Sequence, residues 1–350
     1  MQLTRHLRHL AIDLLGQRDD RCYWRQACEP RALPRSARVL LWQPDGKLGD
    51  GLLNASFVHD LRVQRPDVQV HVACPPGMQA FWKPLPGVHA VHSTESGAAR
   101  QALVAASRGC DAFVSFETFL SLDTVRLVRA LKPARTIGFS VSRYRLFTDA
   151  LVDTTYEFPR EPIQQRLVRL CEVLALQHLG RSDVADCLRN MPRTANIGQH
   201  PGLAVFFNTY AANADRSLSP QAVAQVRSAI RSQLSGAAVT LSLPSTQSQA
   251  TALDANTQAL PPCASVWALM QHIDACDVVI SPDTAIGHLG AALGKHVIVI
   301  YRDRHYNPVV WRPQGPSVQV LLPQQPGDIN SFLPGDLLSA IDSIKPSLPS

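Results

Sequence analysis

Short apolar runs recur along the chain, each followed by a polar or glycine-rich break and then by a stretch with helical spacing. Residues 38–42 (RVLLW) are the first run. Gly46, Gly49 and Gly51 interrupt it, and 52–63 then reads as a helix that stops near Pro66. Residues 68–73 read as the next strand, ended by Pro75-Pro76-Gly77, with later strands at 112–116 and 136–139 and helices at 95–108 and 122–131. Continuous apolar strands alternating with helices predict a mainly parallel sheet covered on both faces.

Residues 161–180 read as a helix carrying Leu167, Leu170, Val173, Leu174 and Leu176, and 189–202 (RNMPRTANIGQHPG) as a turn-rich linker. The pattern then restarts, with strands at 203–207, 238–243, 278–280, 297–300 and 318–322 and helices at 220–234, 263–276, 285–293 and 331–344. The chain therefore reads as an α/β protein in four parts. An N-terminal helical extension (1–35) precedes a Rossmann-like domain (36–188); the linker (189–202) leads to a second Rossmann-like domain with a tail helix (203–350). Two such domains predict a central cleft between them. Open α/β sheets bind ligands at the carboxyl ends of their strands, so loops 43–51, 208–217, 281–288 and 301–308 are expected to meet there.

Composition narrows the partners. The chain has 34 basic and 28 acidic residues, a formal charge of +6, which favours anionic partners. Aromatic residues do not alternate with basic ones, which argues against nucleic acid. No run is long and apolar enough to span a membrane. The first 21 residues are interrupted by charge and do not read as a secretory signal, so a cytoplasmic protein is expected. Leu3, Leu7, Leu10, Ile12 and Leu14 predict a helix with a basic side. It either docks on the first domain or makes peripheral contact with the inner face of the cytoplasmic membrane. Eight cysteines, Cys22 and Cys28 among them, form no CxxC pair, and several sit in apolar runs, as buried thiols do.

The segment SPDTAIGHLGAALGK, 281–295, follows the apolar run 278–280. Asp283 or Thr284 can cap the helix that starts there. Ala285 and Gly287 leave its first turn uncrowded, and a helix N-terminus binds phosphate through free N–H groups and its dipole. A capped core helix and a phosphate cradle both fit. Gly290, Ala291 and Ala292 suit close packing on a sheet. In the first domain GKLGDGLLNASFVHDL, 46–61, is neither a Walker loop nor GxGxxG. Its Asp50 begins a helix, and either caps it or serves as a general base.

Together these segments resemble the lipopolysaccharide heptosyltransferases of glycosyltransferase family 9, two-domain GT-B enzymes that use ADP-heptose. The resemblance covers roughly 36–345. It rests on VLLWQPDGKLGDGLLNASFVHDLRVQRPDVQVHV, on VVISPDTAIGHLGAALGKHVIVIY and on NPVVWRP after it. It implies inverting transfer of a heptose to a sugar hydroxyl of a lipopolysaccharide core, or another anionic glycolipid or oligosaccharide. Asp50 matches the family's base, and Asp283, Thr284 and His288 match the segment that cradles the nucleotide diphosphate. Many members carry a lysine before Trp-Pro that contacts donor phosphate. This chain reads FFNTYAANADRSLSP there, keeping Asn208 and offering Arg216 instead. That departure keeps open another GT-B enzyme with a different nucleotide sugar, a transferase or an epimerase; a non-catalytic nucleotide- or glycan-binding protein is the third reading.

The chemistry expected is deprotonation of the acceptor hydroxyl by Asp50 as it attacks the anomeric carbon. Negative charge then grows on the leaving nucleoside diphosphate, beside the helix N-terminus and Arg216. No DxD pair ends a strand, so neither metal nor other cofactor is expected. His288 either contacts phosphate or ribose, or packs on the sheet. His305 and Tyr306 are candidates to flank the nucleotide base. Glu117, Arg143 and Arg145 are candidates for the acceptor, the arginines equally for a solvated basic face.

Overall fold

The structure is a computed structural model that describes residues 2–19, 29–117, 119–139, 143–151, 161–193, 197, 202–244, 253–315 and 317–345, with side chains from residue 7 onward. Cys22, Cys28 and parts of the expected linker (194–196, 198–201) lie outside the described residues. Two compact units divide the chain, Met1–Asp183 and Val184–Ser350.

The first unit carries six parallel strands: β1 (Arg38–Trp42), β2 (Gln69–Cys74), β3 (Val88–Ser93), β4 (Ala112–Ser115), β5 (Arg135–Phe139) and β6 (Asp149–Leu151). Their order is β3-β2-β1-β4-β5-β6. Its helices are α1 (Gln2–Leu15), α2 (Leu48–Gln64), α3 (Pro76–Trp82), α4 (Gly97–Ser107), α5 (Leu122–Leu131) and α6 (Gln165–Val173). β1, β4 and β5 are buried almost throughout, as strands covered on both faces must be.

The second unit repeats the plan with β7 (Ala204–Asn208), β8 (Ala238–Ser242), β9 (Thr257–Ala259), β10 (Val278–Pro282), β11 (His296–Ile300) and β12 (Val318–Leu321), ordered β12-β11-β10-β7-β8-β9. Its helices are α7 (Val184–Arg189), α8 (Pro220–Gln233), α9 (Val266–Asp274), α10 (Ala285–Ala292), α11 (Asn307–Val310) and α12 (Pro334–Ile344). Counted within each unit, both sheets run 3-2-1-4-5-6, the doubly wound order of a dinucleotide-binding domain. The order reverses between β1 and β4 in one unit and between β7 and β10 in the other.

Several elements differ from the sequence reading, each for a local reason. α2 starts four residues earlier than expected and takes in Gly49 and Gly51. Gly51 lies close against α3: a Cβ there would lie 2.6 Å from the Met78 Cε methyl, which would have to swing aside. α3 itself begins at Pro76, since proline fits the first helical positions, where no N–H partner is needed. β3 (VHAVHS) is an edge strand, half-exposed and interleaved with histidine, so no apolar run marks it. β6 has three residues and is held by Arg135, whose Nη2 and Nε bond the buried Asp149 carboxylate at 3.0 and 3.1 Å. The helix expected over 161–180 stops at Val173, where the backbone turns left-handed at Ala175 (φ 56°). The next segment ties to α2 instead: Asp60 accepts from His178 Nδ1 (2.7 Å), Leu179 N (3.0 Å) and Cys171 Sγ (3.4 Å). That cluster has the residue types of a metal site, but these bonds already account for its carboxylate. The six described cysteines are free thiols, four of them buried.

Candidate functional site

In the second unit the order reverses between the carboxyl ends of β7 and β10, and the expected phosphate residues converge there. Asn208 ends β7 and is buried. Its Nδ2 donates to Tyr210 O (2.8 Å) and Ser281 Oγ (3.1 Å) and lies 3.4 Å from Thr284 Oγ1. Ser281 and Thr284 share a hydroxyl hydrogen bond of 2.9 Å. Asn208 thus works through the protein, fixing the turn that opens α10. Thr284, not Asp283, is the cap: its Oγ1 accepts from Ile286 N at 3.2 Å. The other first-turn N–H groups, those of Ala285 and Gly287 included, have no intrahelical acceptor.

Asp283 is buried, and its carboxylate lies 3.9 Å from Arg216 Nη1. Burial, with the charge of Asp303 adding to it, pushes its pKa up to about 6, while Arg216 pulls the other way. Arg216 ends a short 3-10 turn, Ala214–Arg216, and its buried Nε has no hydrogen-bond partner. A guanidinium with a free donor beside first-turn N–H groups that have no intrahelical acceptor is an arrangement that suits an anion. His288 sits one turn further along α10, half-buried, and the packing around its ring lowers its pKa to about 4. It is therefore neutral near pH 7 and offers one donor and one acceptor. Gly287 and Gly290 face the sheet: a Cβ at Gly287 would lie 3.1 Å from Val299 Cγ2, and one at Gly290 2.9 Å from Val279 Cγ2. Gly287 and Gly290 are thus packing residues, as expected for Gly290, and Ala291 is buried with them; Ala292, also expected to pack, is exposed because it lies on the solvent side of the helix end. Exposed His305 and half-buried Tyr306 sit in the loop after β11. Asp303 Oδ1 orders that loop by accepting from the N–H groups of His305 (3.2 Å), Tyr306 (2.9 Å) and Asn307 (3.1 Å).

In the first unit Asp50 lies in the first turn of α2, after the loop that leaves β1. Its carboxylate is 3.8 Å from Lys47 Nζ and has the Asp45 carboxyl as a neighbour. Burial first, and then the Asp45 hydrogen bond and charge, raise its pKa to about 7; Lys47 and Arg166 oppose the rise. Gln43, fully buried, shapes the loop, giving its Nε2 to Lys47 O (3.1 Å) and accepting from Trp82 Nε1 (3.1 Å). Arg166 of α6 is buried, with its guanidinium 4.8 Å from the Phe139 ring centroid. Phe139 stacks on Phe116, which meets Phe57 of α2 edge-on. Asp45 and Arg166 tune the candidate base, and the sequence did not single them out. Asp45 sits in the glycine-rich loop, and Arg166 hides in a helix read for its leucines.

The three candidate acceptor residues have partners within the unit. Glu117 bonds closely to Thr124 Oγ1, which also accepts from Trp42 Nε1 at 2.8 Å; burial raises its pKa. Arg145 pairs with Asp19 beyond α1, and Arg143 lies 5.8 Å from the Tyr144 ring centroid.

Comparison with known proteins bears on the fold and on part of the second unit. Residues 221–330 match the family model described as glycosyltransferase family 9 (heptosyltransferase). No curated protein matches the chain in sequence. Among solved structures, the glycosyl transferase family 9 protein from Veillonella parvula superposes with a TM-score of 0.70 at 13% identity, over 92% of this chain and 100% of its own. E. coli heptosyltransferase WaaC with ADP gives 0.65 at 17%, over 87% and 99%. E. coli ADP-heptose lps heptosyltransferase II gives 0.65 at 16%, over 89% and 99%. The chain resembles the heptosyltransferases in fold over most of its length and in sequence over much of the second unit. The fold likeness gives the GT-B architecture, and the family match over 221–330 points to a glycosyltransferase.

Proposed function

We propose that the chain is an inverting, metal-independent glycosyltransferase that moves a heptose from ADP-heptose to a sugar hydroxyl of a lipopolysaccharide core or related glycan. The observation that carries this reading is the convergence of Arg216, Asp283 and the Thr284-capped turn of α10 at the β7–β10 reversal, within the span that matches the family. The second unit holds the nucleoside diphosphate, with Arg216 and the first-turn N–H groups on its phosphates. The first unit supplies Asp50 as base. A carboxylate with a pKa near 7 accepts a hydroxyl proton far better than an ordinary aspartate.

In the reaction the acceptor oxygen forms a bond to the anomeric carbon as the bond from that carbon to the diphosphate oxygen breaks. Asp50 takes the hydroxyl proton, and the diphosphate leaves with the electron pair. Direct attack inverts the centre and needs no carboxylate nucleophile. Leaving-group charge is met by Arg216 and the α10 dipole. Of the acids nearby, Asp303 accepts three backbone N–H groups through Oδ1, and Asp283 faces the Arg216 guanidinium at 3.9 Å. That supports phosphate stabilisation by protein groups rather than by a metal.

A second reading, a GT-B enzyme with another nucleotide sugar, is favoured by Arg216 standing where many family members have lysine. Titration with ADP-heptose, ADP and UDP- and GDP-sugars, followed by product analysis on lipopolysaccharide cores, tests both. Heptose transfer supports the first; preference for a UDP- or GDP-sugar with no heptose transfer replaces it with the second.

A further inference from the structure

The helix α1 carries an apolar stripe that its own unit leaves uncovered. Leu7, Leu10 and Leu14 are 58%, 50% and 79% exposed. Their spacing of three and four residues places them along one side of a helix. Another side of α1 is already used. Ile12 is buried with Val125, Tyr144, Phe147 and Ala150, and Leu15 packs beside it. Asp13 accepts from Tyr144 Oη at 2.8 Å and from Arg18 Nη1 at 3.0 Å. The helix is therefore held on α5 and the 144–150 segment with its leucines turned outward.

Charge identifies the occupant. The helix sequence QLTRHLRHLAIDLL has Arg5 and Arg8 and a single acid, Asp13, and that acid is paired with Arg18. Arg8 and His9 are exposed beside the leucines. A second copy of the helix would bring like charges together along a stripe of three leucines, a poor pairing for so short a helix. An anionic surface matches both the basic flank and the apolar stripe. No described helix is long and apolar enough to cross a membrane, so contact would be interfacial.

We propose that the Leu7-Leu10-Leu14 stripe of α1 docks at the headgroup level of an anionic phospholipid bilayer, with Arg8 at the lipid phosphates. Three leucines and few charges give reversible attachment, strengthened by anionic lipid and weakened by salt. This goes beyond the transferase reading and does not rest on it, because binding is measured without donor or acceptor.

The test is co-sedimentation of the full chain with phosphatidylcholine vesicles, with and without phosphatidylglycerol. Binding is expected to the anionic vesicles, with release at high salt. The combined variant Leu7→Glu/Leu10→Glu/Leu14→Glu should bind at least about tenfold more weakly, with an unchanged melting temperature because these side chains are already exposed. Arg8→Glu should weaken binding to the anionic vesicles alone. No binding to anionic vesicles at low salt, or equal binding by the triple variant, overturns the proposal. So does a doubled solution mass that the triple variant returns to monomer, since the stripe would then be a self-association surface.

Discussion

The Arg216 guanidinium lies 3.9 Å from the Asp283 carboxylate, joining the loop after β7 to the turn that opens α10. An ion pair at that distance is loose, and Arg216 keeps a buried Nε–H without an acceptor. Arg216→Ala should weaken ADP binding about tenfold or more, the scale of one charged hydrogen bond. Arg216→Lys should recover only part of it, since an ammonium cannot reproduce the planar fork. Calorimetric titration decides: equal affinity in all three proteins removes Arg216 from the phosphate site.

Asp50→Asn should lower turnover by roughly 10²–10⁴-fold with ADP affinity nearly unchanged, as loss of a general base does. Single-turnover kinetics beside ADP titration separate the two effects. Near-normal turnover would assign the base elsewhere.

The raised pKa of Asp50 also predicts a stability signature. A carboxyl whose folded pKa lies near 7 keeps a proton that the unfolded chain releases from about pH 4 upward. The folded state therefore loses stability as pH rises from about 4 through 7. Asn cannot ionise, so Asp50→Asn should stabilise the protein at pH 8 by roughly 1–3 kcal/mol, discounted for partial exposure, and by little at pH 4. Thermal melts at both values check this; a gain that does not grow with pH contradicts it.

The pH profile of kcat/KM should show an acid limb near 7, belonging to the Asp45–Asp50 pair. Asp45→Asn removes a hydrogen bond and a charge that raise the Asp50 pKa, so the limb should move down. Arg166→Met removes a charge that lowers it, so the limb should move up. Shifts in the same direction, or none, would show that Asp50 does not set the limb.

Activity should survive prolonged EDTA treatment, because the proposed phosphate stabilisers are Arg216 and backbone N–H groups. Activity lost with EDTA and restored by magnesium or manganese would assign that charge stabilisation to a metal.

Much of the architecture follows from local pattern. The runs RVLLW at 38–42 and VVI at 278–280 read as strands buried on both faces, and the helical stretches between strands predict parallel sheets, as observed. Gly290 as a packing residue was equally legible, and the cap of α10 was narrowed to Asp283 or Thr284, because capping depends on neighbours in sequence and close approach on the adjacent strand. Elements stabilised by distant contacts escaped. β3 lacks an apolar run because it is an edge, β6 exists through Arg135 and Asp149, and Gly51, a break by local pattern, lies inside α2 beside Met78. The chemistry divides the same way. Sequence put an aspartate at position 50 in the first turn of a helix. Its pKa near 7 comes from burial, Asp45 and the opposing charges of Lys47 and Arg166. Electrostatic coupling depends on distance in space, and Arg166 stands more than a hundred residues along the chain from the carboxyl whose rise it opposes. Likewise the sequence left Asp283 and Thr284 as alternative caps, and only the folded turn set Asp283 beside Arg216 and left the capping to Thr284.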